Sequence, residues 1–277
     1  MSAKITTVKL KEMKQRKEKI TVLTCYDYSM AKMLDHAGIE VLLVGDSLGN
    51  VMLGYDSTIP VTMDEMIIYT KAVSRGTKNA LVVGDMPFLS YHISTAESVR
   101  NAGRFLQEAG ANAVKLEGGR EVAATIQAIN AAGIPVMGHL GLTPQSVNKL
   151  GGYKVQGKDE AAARSILNNA LALQDAGVFA LVLECIPAPL AKMITERLEI
   201  PTIGIGAGVN CDGQVLVIHD MLGLYSDLAP KFVKRYASLH ESIGRALTDY
   251  KAEVKSGTFP APEHSFGLEE NEVGKLY

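Results

Sequence analysis

Residues 80–117 read ALVVGDMPFLSYHISTAESVRNAGRFLQEAGANAVKLE, and the fold is decided in this stretch. Ala80–Asp85 is a short apolar run closed by a carboxylate. Thr95–Ala109 carries apolar residues at helical spacing and ends at Ala109-Gly110, where a glycine can supply the left-handed residue that closes a helix. Ala113–Glu117 is a second apolar run, again ending in charge. Val, Ile and Leu on both faces of so short a run mark a parallel strand covered on both sides.

Working outward, the pattern repeats. Further apolar runs lie at Ile20–Tyr26, Val41–Asp46, Pro135–His139, Phe179–Glu184, Thr202–Gly206 and, less clearly, Val215–Asp220. Between them, Tyr28–Gly38, Met63–Arg75, Arg120–Ala132, Asp159–Ala176 and Pro189–Leu198 have helical spacing. Ala37-Gly38, Ala132-Gly133 and Ala176-Gly177 close three of them in the same way. Strand–helix alternation repeated about eight times favours an α/β fold of the (βα)8 TIM-barrel type over an open doubly wound sheet. No linker or shift in composition divides residues 1–277, so one domain is expected, with a solvated N-terminal helix over Thr7–Lys17. The tail from about Ser256 to residue 277, with Pro260, Pro262 and Gly267, lacks periodicity. It is expected to be irregular and to pack on a neighbouring subunit.

Bulk properties remove several classes of function. Hydrophobic residues make up 47% and charged ones 21%, the balance of a globular protein with a buried core. A net charge of -2 gives no general attraction to nucleic acid or anionic membranes, and with no Trp there is little for bases to stack on. Cys25, Cys185 and Cys211 are odd in number and far apart, which fits neither a disulfide framework nor a Cys-x-x-Cys metal site. No apolar run reaches the ~20 residues of a membrane span. The N-terminus lacks the apolar stretch of a signal peptide, so a cytoplasmic protein is expected.

In such a barrel the active site lies where the strands end at their C-terminal edge. The strand ends here are Asp46-Ser47, Asp85, Lys115 with Glu117, His139 and Glu184. Side chains alternate along a strand, so Lys115 and Glu117 share the inner face while Leu116 packs outward on helices. By the same alternation Asp85 follows Leu81 and Val83 inward, His139 follows Met137, and Glu184 follows Val182. Singly, each has a structural explanation: a turn cap for an aspartate, an ion pair for Lys115 and Glu117, a satisfied polar group for His139. Together they put several carboxylates in one mouth, where they repel unless a cation neutralises them. One lysine is too little. Few protein ligands and no His/Cys cluster point to Mg2+, which keeps waters and substrate oxygens in its shell. Such an ion can chelate a 2-oxo acid and stabilise its enolate, and Glu184, away from the metal side, is the candidate base.

Two loop features have weaker meaning. Gly204-Ile-Gly-Ala-Gly208 could aim backbone N–H groups at a phosphate, but a close-packed turn explains it equally well. The segment from His139 to Gly157 is long for a βα connection and suits a closing lid.

The chain resembles the ketopantoate hydroxymethyltransferase family in Leu23-Thr-Cys-Tyr-Asp27, Val44-Gly-Asp-Ser-Leu-Gly49, Leu53-Gly-Tyr-Asp-Ser-Thr58, Gly84-Asp-Met-Pro-Phe88 and Val114-Lys-Leu-Glu-Gly118. The resemblance continues through His139-Leu-Gly-Leu-Thr-Pro-Gln-Ser146, Gly151-Gly-Tyr153, Leu183-Glu184, Gly204-Ile-Gly-Ala-Gly208, Cys211-Asp-Gly-Gln214 and Pro230-Lys-Phe-Val233. Ordered matches over about residues 20–235 are far more specific than any one of them, and the variations at Cys25 and Asn50 are expected outside the site.

The resemblance implies transfer of a one-carbon unit from 5,10-methylenetetrahydrofolate to 3-methyl-2-oxobutanoate, giving 2-dehydropantoate in pantothenate synthesis. It implies Mg2+ on Asp46 and Asp85 with Glu117 in the metal site, and Glu184 as proton acceptor. It further implies substrate binding by Asp46, Ser47, Asp85 and Lys115, and a homo-oligomer, typically a decamer. His139 is expected in the site wall without an assigned role. The rivals are a Mg2+-dependent oxo-acid lyase of the isocitrate lyase type, a Schiff-base aldolase built on Lys115, and a non-catalytic binder of an anionic metabolite.

Overall fold

A computed structural model describes residues 4–225 and 230–267. Eight parallel strands close into a barrel in sequence order. They are β1 (Ile20–Thr24), β2 (Val41–Val44), β3 (Leu81–Asp85), β4 (Ala113–Lys115), β5 (Val136–Gly141), β6 (Ala180–Glu184), β7 (Thr202–Ile205) and β8 (Gly213–Leu216). The helices are α1 (Thr7–Gln15), α2 (Tyr28–His36), α3 (Leu48–Val51), α4 (Met63–Gly76), α5 (Thr95–Gln107), α6 (Ala123–Ala131), α7 (Val147–Leu150), α8 (Glu160–Asp175), α9 (Ala188–Arg197), α10 (Ile218–Met221) and α11 (Leu239–Ser256).

Local chemistry sets the helix ends. Thr62 and Glu65 form a reciprocal capping box at the start of α4, and Asp27, Ser94 and Asp159 each accept a backbone N–H at a helix N-terminus. The four glycines that follow Ala37, Ala109, Ala132 and Ala176 all adopt positive φ, as the Ala-Gly pattern predicts.

Alternation along the strands divides the core in two. Leu81, Val83, Met137, Val182 and Val215 fill the barrel interior, while Val82, Val114, Leu116, Leu181 and Leu183 face outward and pack with the helices. The inward set is the one that points toward the site.

Three expectations are corrected. The N-terminal helix is not merely solvated: Leu10 and Met13 of α1 are buried and join the interior cluster with Ile20, Val22 and Val41. Lys14 anchors the helix through Asp212 Oδ2 at 2.8 Å and the Thr195 carbonyl at 2.9 Å. The charges of this segment surround Leu10 and Met13 on the helix and mask the two-residue apolar contact. The last strand runs Gly213–Leu216 rather than Val215–Asp220, because Ile218 begins a short helix and its N–H bonds Thr24 Oγ1. Finally, α11 occupies a region between Asp220 and Ser256 where the sequence reading assigns no element. None of its residues is buried, so the barrel does not supply the packing that would make its pattern conspicuous.

Residues 257–267 contain one 3-10 turn, Pro262–His264. The rest of the expected tail, from 268 on, lies outside the described residues.

The burial of Leu10 yields a test of the α1 contact. Leu10→Ala should cost about 2–5 kcal/mol, the range for emptying a leucine site in a packed interior. Urea unfolding followed by circular dichroism would measure it, and a change within about 0.5 kcal/mol would mean a surface helix after all.

Candidate active site

Side chains from strands β2 to β6 and their C-terminal ends converge on one cavity of about 740 Å³. Asp46, Ser47, Asp85, Lys115, Glu117, His139 and Glu184 all line it. Every site residue anticipated from the strand ends is therefore brought to the same mouth.

Register explains the first contact. Asp85 and Lys115 are paired across the β3–β4 ladder, and both point inward. Lys115 Nζ donates to Asp85 Oδ1 at 2.6 Å. Asp85 Oδ2 accepts the Asp46 backbone N–H at 3.2 Å, because the chain turns after β2 through Gly45 and Asp46 into α3. This turn is also why β2 ends at Val44, two residues before the apolar run does.

Glu117 lies beyond the end of β4 and faces His139 of β5, with Nδ1 3.4 Å from Oε1. On the other side of the ring, His139 Nε2 is 3.3 Å from Glu184 Oε2. His139 thus bridges two carboxylates, a role the sequence reading left open. Ser47 Oγ lies 2.8 Å from the hydroxyl of buried Tyr26, which fixes the serine in the wall.

Asp46, Asp85, Lys115, Glu117 and His139 are all buried, so their charges act through little water. Burial, and then the neighbouring Asp85 and Glu117, raise Asp46 well above the ordinary carboxylate range. Burial raises Asp85 as well, against the pull of Lys115. Burial alone would make His139 less basic, but Glu117 and Glu184 hold it at about 9. Burial opposes ionisation of Glu117 too, yet His139 and then Lys115 keep that carboxyl below its usual value. Burial likewise disfavours the Lys115 ammonium, but Asp85, Glu117 and Asp46 together keep it charged.

The donor set fits a hard cation that brings its own water. Formally, the Asp46, Asp85 and Glu117 carboxylates outnumber Lys115 by the charge of one divalent ion, and His139 and Glu184 balance each other. Burial and like charge raise Asp46, and a cation beside it would pull the other way and favour its ionised form. Glu117 Oε1 is buried without a hydrogen-bond partner among the described residues. Those residues contain no group of three or more His, Cys, Asp or Glu side chains that would hold an ion alone. The fit is therefore to an ion such as Mg2+, held by one or two carboxylates with water and substrate completing its shell.

Three residues of the site escaped the strand-end reading. Tyr26, Tyr91 and Gln145 are buried there, and the last two stand on loops, where no periodicity aims a side chain. Asn50, expected outside the site, lines the cavity and donates to the Tyr55 carbonyl at 2.8 Å. The segment after β5 is pinned at both ends, through buried Gln145 and through the Gln156 N–H on the Cys185 carbonyl at 2.9 Å. Between them Tyr153, Lys154 and Val155 line the cavity. The glycine-rich turn after β7 is a close-packed one: Gly206, at φ 64°, leaves 3.0 Å between a would-be Cβ and Phe232, and Gly208 only 2.5 Å to Ala188.

A closed parallel barrel with charged groups buried at its C-terminal rim is the architecture of a barrel enzyme. The family model described as ketopantoate hydroxymethyltransferase matches residues 4–262. The 3-methyl-2-oxobutanoate hydroxymethyltransferase of Syntrophomonas wolfei subsp. wolfei is 61% identical over 99% of this chain and 100% of its own length. The protein of the same name from Syntrophus aciditrophicus is 62% identical over 95% of this chain and 97% of its own. The chain belongs to the ketopantoate hydroxymethyltransferase family and is a transferase. Among solved structures, phosphonopyruvate hydrolase in complex with oxalate and Mg2+ superposes with TM-score 0.61 at 10% identity, over 98% of this chain and 97% of that one. The 2,3-dimethylmalate lyase of the PEP mutase/isocitrate lyase superfamily gives 0.59 at 13%, over 98% and 93%. At such identity these two likenesses concern the fold alone.

Removing the ammonium from the buried pair should be expensive. Lys115→Ala should lower stability by about 3–5 kcal/mol, since it strands Asp85 in the interior. Denaturant midpoints of the two proteins in EDTA would check it, and a loss under about 1 kcal/mol would mean that the pair is solvated.

Proposed function

We propose that this chain transfers a one-carbon unit from 5,10-methylenetetrahydrofolate to 3-methyl-2-oxobutanoate, giving 2-dehydropantoate for pantothenate synthesis, with Mg2+ as its metal. The observation that carries the reading is the buried carboxylate cluster at the mouth of a chain 61% identical, end to end, to an enzyme so named. Asp46 and Asp85 would hold the ion, with Glu117 in its surroundings. Bound there, Mg2+ would polarise the keto group and lower the cost of negative charge on the oxo acid as its C3 proton leaves.

The protein's own groups do the rest. Lys115, kept charged by its acidic neighbours, supplies positive charge for the substrate carboxylate, and Ser47, held by Tyr26, offers a hydroxyl at the same rim. Glu184 takes the C3 proton. In the closed ring of eight, β6 lies opposite β2, so this base faces the substrate from the side away from Asp46. His139 steadies its carboxylate from 3.3 Å. The carbon nucleophile so formed bonds to the methylene carbon of the folate as that carbon's two C–N bonds break. A water molecule supplies the hydroxyl oxygen, and tetrahydrofolate leaves with its two nitrogens protonated by the protons lost from C3 and from the water. A cavity of about 740 Å³ is far larger than a five-carbon oxo acid needs, which leaves room for part of the donor above it.

The lyase alternative shares the fold but not the family. A Schiff base on Lys115 is disfavoured because its nitrogen is ion-paired and protonated, whereas an amine nucleophile must be neutral. A passive metabolite binder would leave the burial of so many carboxylates without a use.

The three free cysteines, Cys25, Cys185 and Cys211, accord with a reducing cytoplasm. No described helix is long and apolar enough to cross a membrane. A homo-oligomer is supported by α11, where Ile243, Leu247, Tyr250 and Val254 stand exposed at helical spacing, an apolar stripe that the barrel does not cover. A decamer is the form that the family resemblance implies.

Proton exchange at C3 of the oxo acid, followed by NMR in D2O without folate, tests enolisation apart from one-carbon transfer. Exchange should require Mg2+, stop in EDTA, and fall by ~10^2–10^4 in Glu184→Gln while the oxo acid still binds. Wild-type exchange rates in that variant would remove Glu184 as base. Separately, Leu247→Glu should reduce the assembled mass measured by light scattering, and an unchanged mass would take α11 out of the interface.

A further inference from the structure

Gln145 follows β5 on a 3-10 turn, Pro144–Ser146, and is 4% exposed. Its backbone N–H donates to Glu117 Oε2 at 3.1 Å. Its side-chain amide donates to Asp46 Oδ2 at 2.9 Å and to the Met86 carbonyl at 3.0 Å. Its amide oxygen accepts from the Tyr91 hydroxyl at 2.7 Å, and that hydroxyl accepts the Glu117 N–H at 3.2 Å. One glutamine thus ties together carboxylates delivered by β2 and by β4.

The direction of every proton in this set is determined. The Glu117 N–H can only donate, so the Tyr91 oxygen must accept it and has its single proton left for Gln145. The Gln145 group facing Tyr91 must therefore be the oxygen, and the NH2 must face Asp46 and the Met86 carbonyl, both acceptors. A flipped amide would set like against like at three contacts. Tyr91 works as a latch on the orientation of Gln145.

The consequence falls on the carboxylates. Gln145 occupies Oδ2 of Asp46 and Oε2 of Glu117. Glu117 Oε1 is left without a hydrogen bond among the described residues and keeps only the looser charge contacts to His139 Nδ1 at 3.4 Å and Lys115 Nζ at 3.9 Å, while Gln145 leaves Asp46 Oδ1 unengaged. We propose that Gln145, latched by Tyr91, is a positioning residue that makes Asp46 and Glu117 each present a single oxygen to the cation site. This rests on the Mg2+ reading above. Groups that orient a metal's carboxylates in this way change its affinity by about 10–100-fold when removed. The inference also gives a purpose to the His139–Ser146 motif, whose glutamine no strand pattern could aim.

The test is titration calorimetry of Mg2+ into the metal-free full-length protein, without substrates. Gln145→Met keeps the volume and removes the polar contacts. It should weaken Mg2+ binding about 10–100-fold, with kcat at saturating Mg2+ falling by a smaller factor than affinity. Tyr91→Phe releases the latch alone and should weaken binding by a smaller factor. In the double variant the tyrosine change should add nothing, because the hydroxyl acts through the amide. Folded Gln145→Met with wild-type Mg2+ affinity would overturn the proposal and leave the metal reading intact, as would a tyrosine effect that persists at full size in the double variant. Should Gln145→Met fail to fold, the Tyr91→Phe affinity decides, and an unchanged value overturns the proposal. A wild-type protein that binds no Mg2+ would instead overturn the metal reading, and this inference with it.

Discussion

The site depends on the burial of Asp85 against Lys115. Two strands hold these residues in register, and the 2.6 Å contact between their side chains keeps an ammonium in the interior beside three acids. Burial raises Asp85 as it raises Asp46, and Lys115 is the neighbour that opposes the shift at Asp85. With it, the barrel mouth holds opposite charges together with very little water, the setting that the proposed hard cation would complement. A buried pair is a weak device for stability but a strong one for fixing charge in place.

His139 extends the same logic across the ring. Its two nitrogens lie near Glu117 and Glu184, so the acids assigned to the metal side and to the base are coupled through one imidazole. The carboxylates on either side hold its proton at neutral pH, despite burial. Protonation of one acid must then be felt by the other, and the site behaves as a network of shared charge.

Much of this was legible in residue order, for a physical reason. Strands have a period of two, so once Leu81 and Val83 are inside, Asp85 must be too, and the same holds for Glu184 after Val182 and His139 after Met137. The barrel followed from repeating strand–helix alternation and from glycines placed to close the helices. Gln145 and Tyr91 were not legible as partners, since loops have no period and their meeting depends on the relative placement of two rim segments. Nor was the role of α1, because two apolar side chains among many lysines and glutamates carry almost no signal until the barrel floor is seen beneath them. Helix α11 escaped because none of its residues is buried, so no inward face of its own barrel marks it.

That floor has one more implication. With Leu10 and Met13 seated among Ile20, Val22 and Val41, the far end of the barrel is filled by apolar packing, and the cavity is a well lined from the opposite rim. Molecules in a well must queue. Whatever lies deepest, against the acids, arrives first and departs last, so on the function proposed above the oxo acid would enter before the bulkier folate and leave after it, an order set by the geometry of the vessel itself.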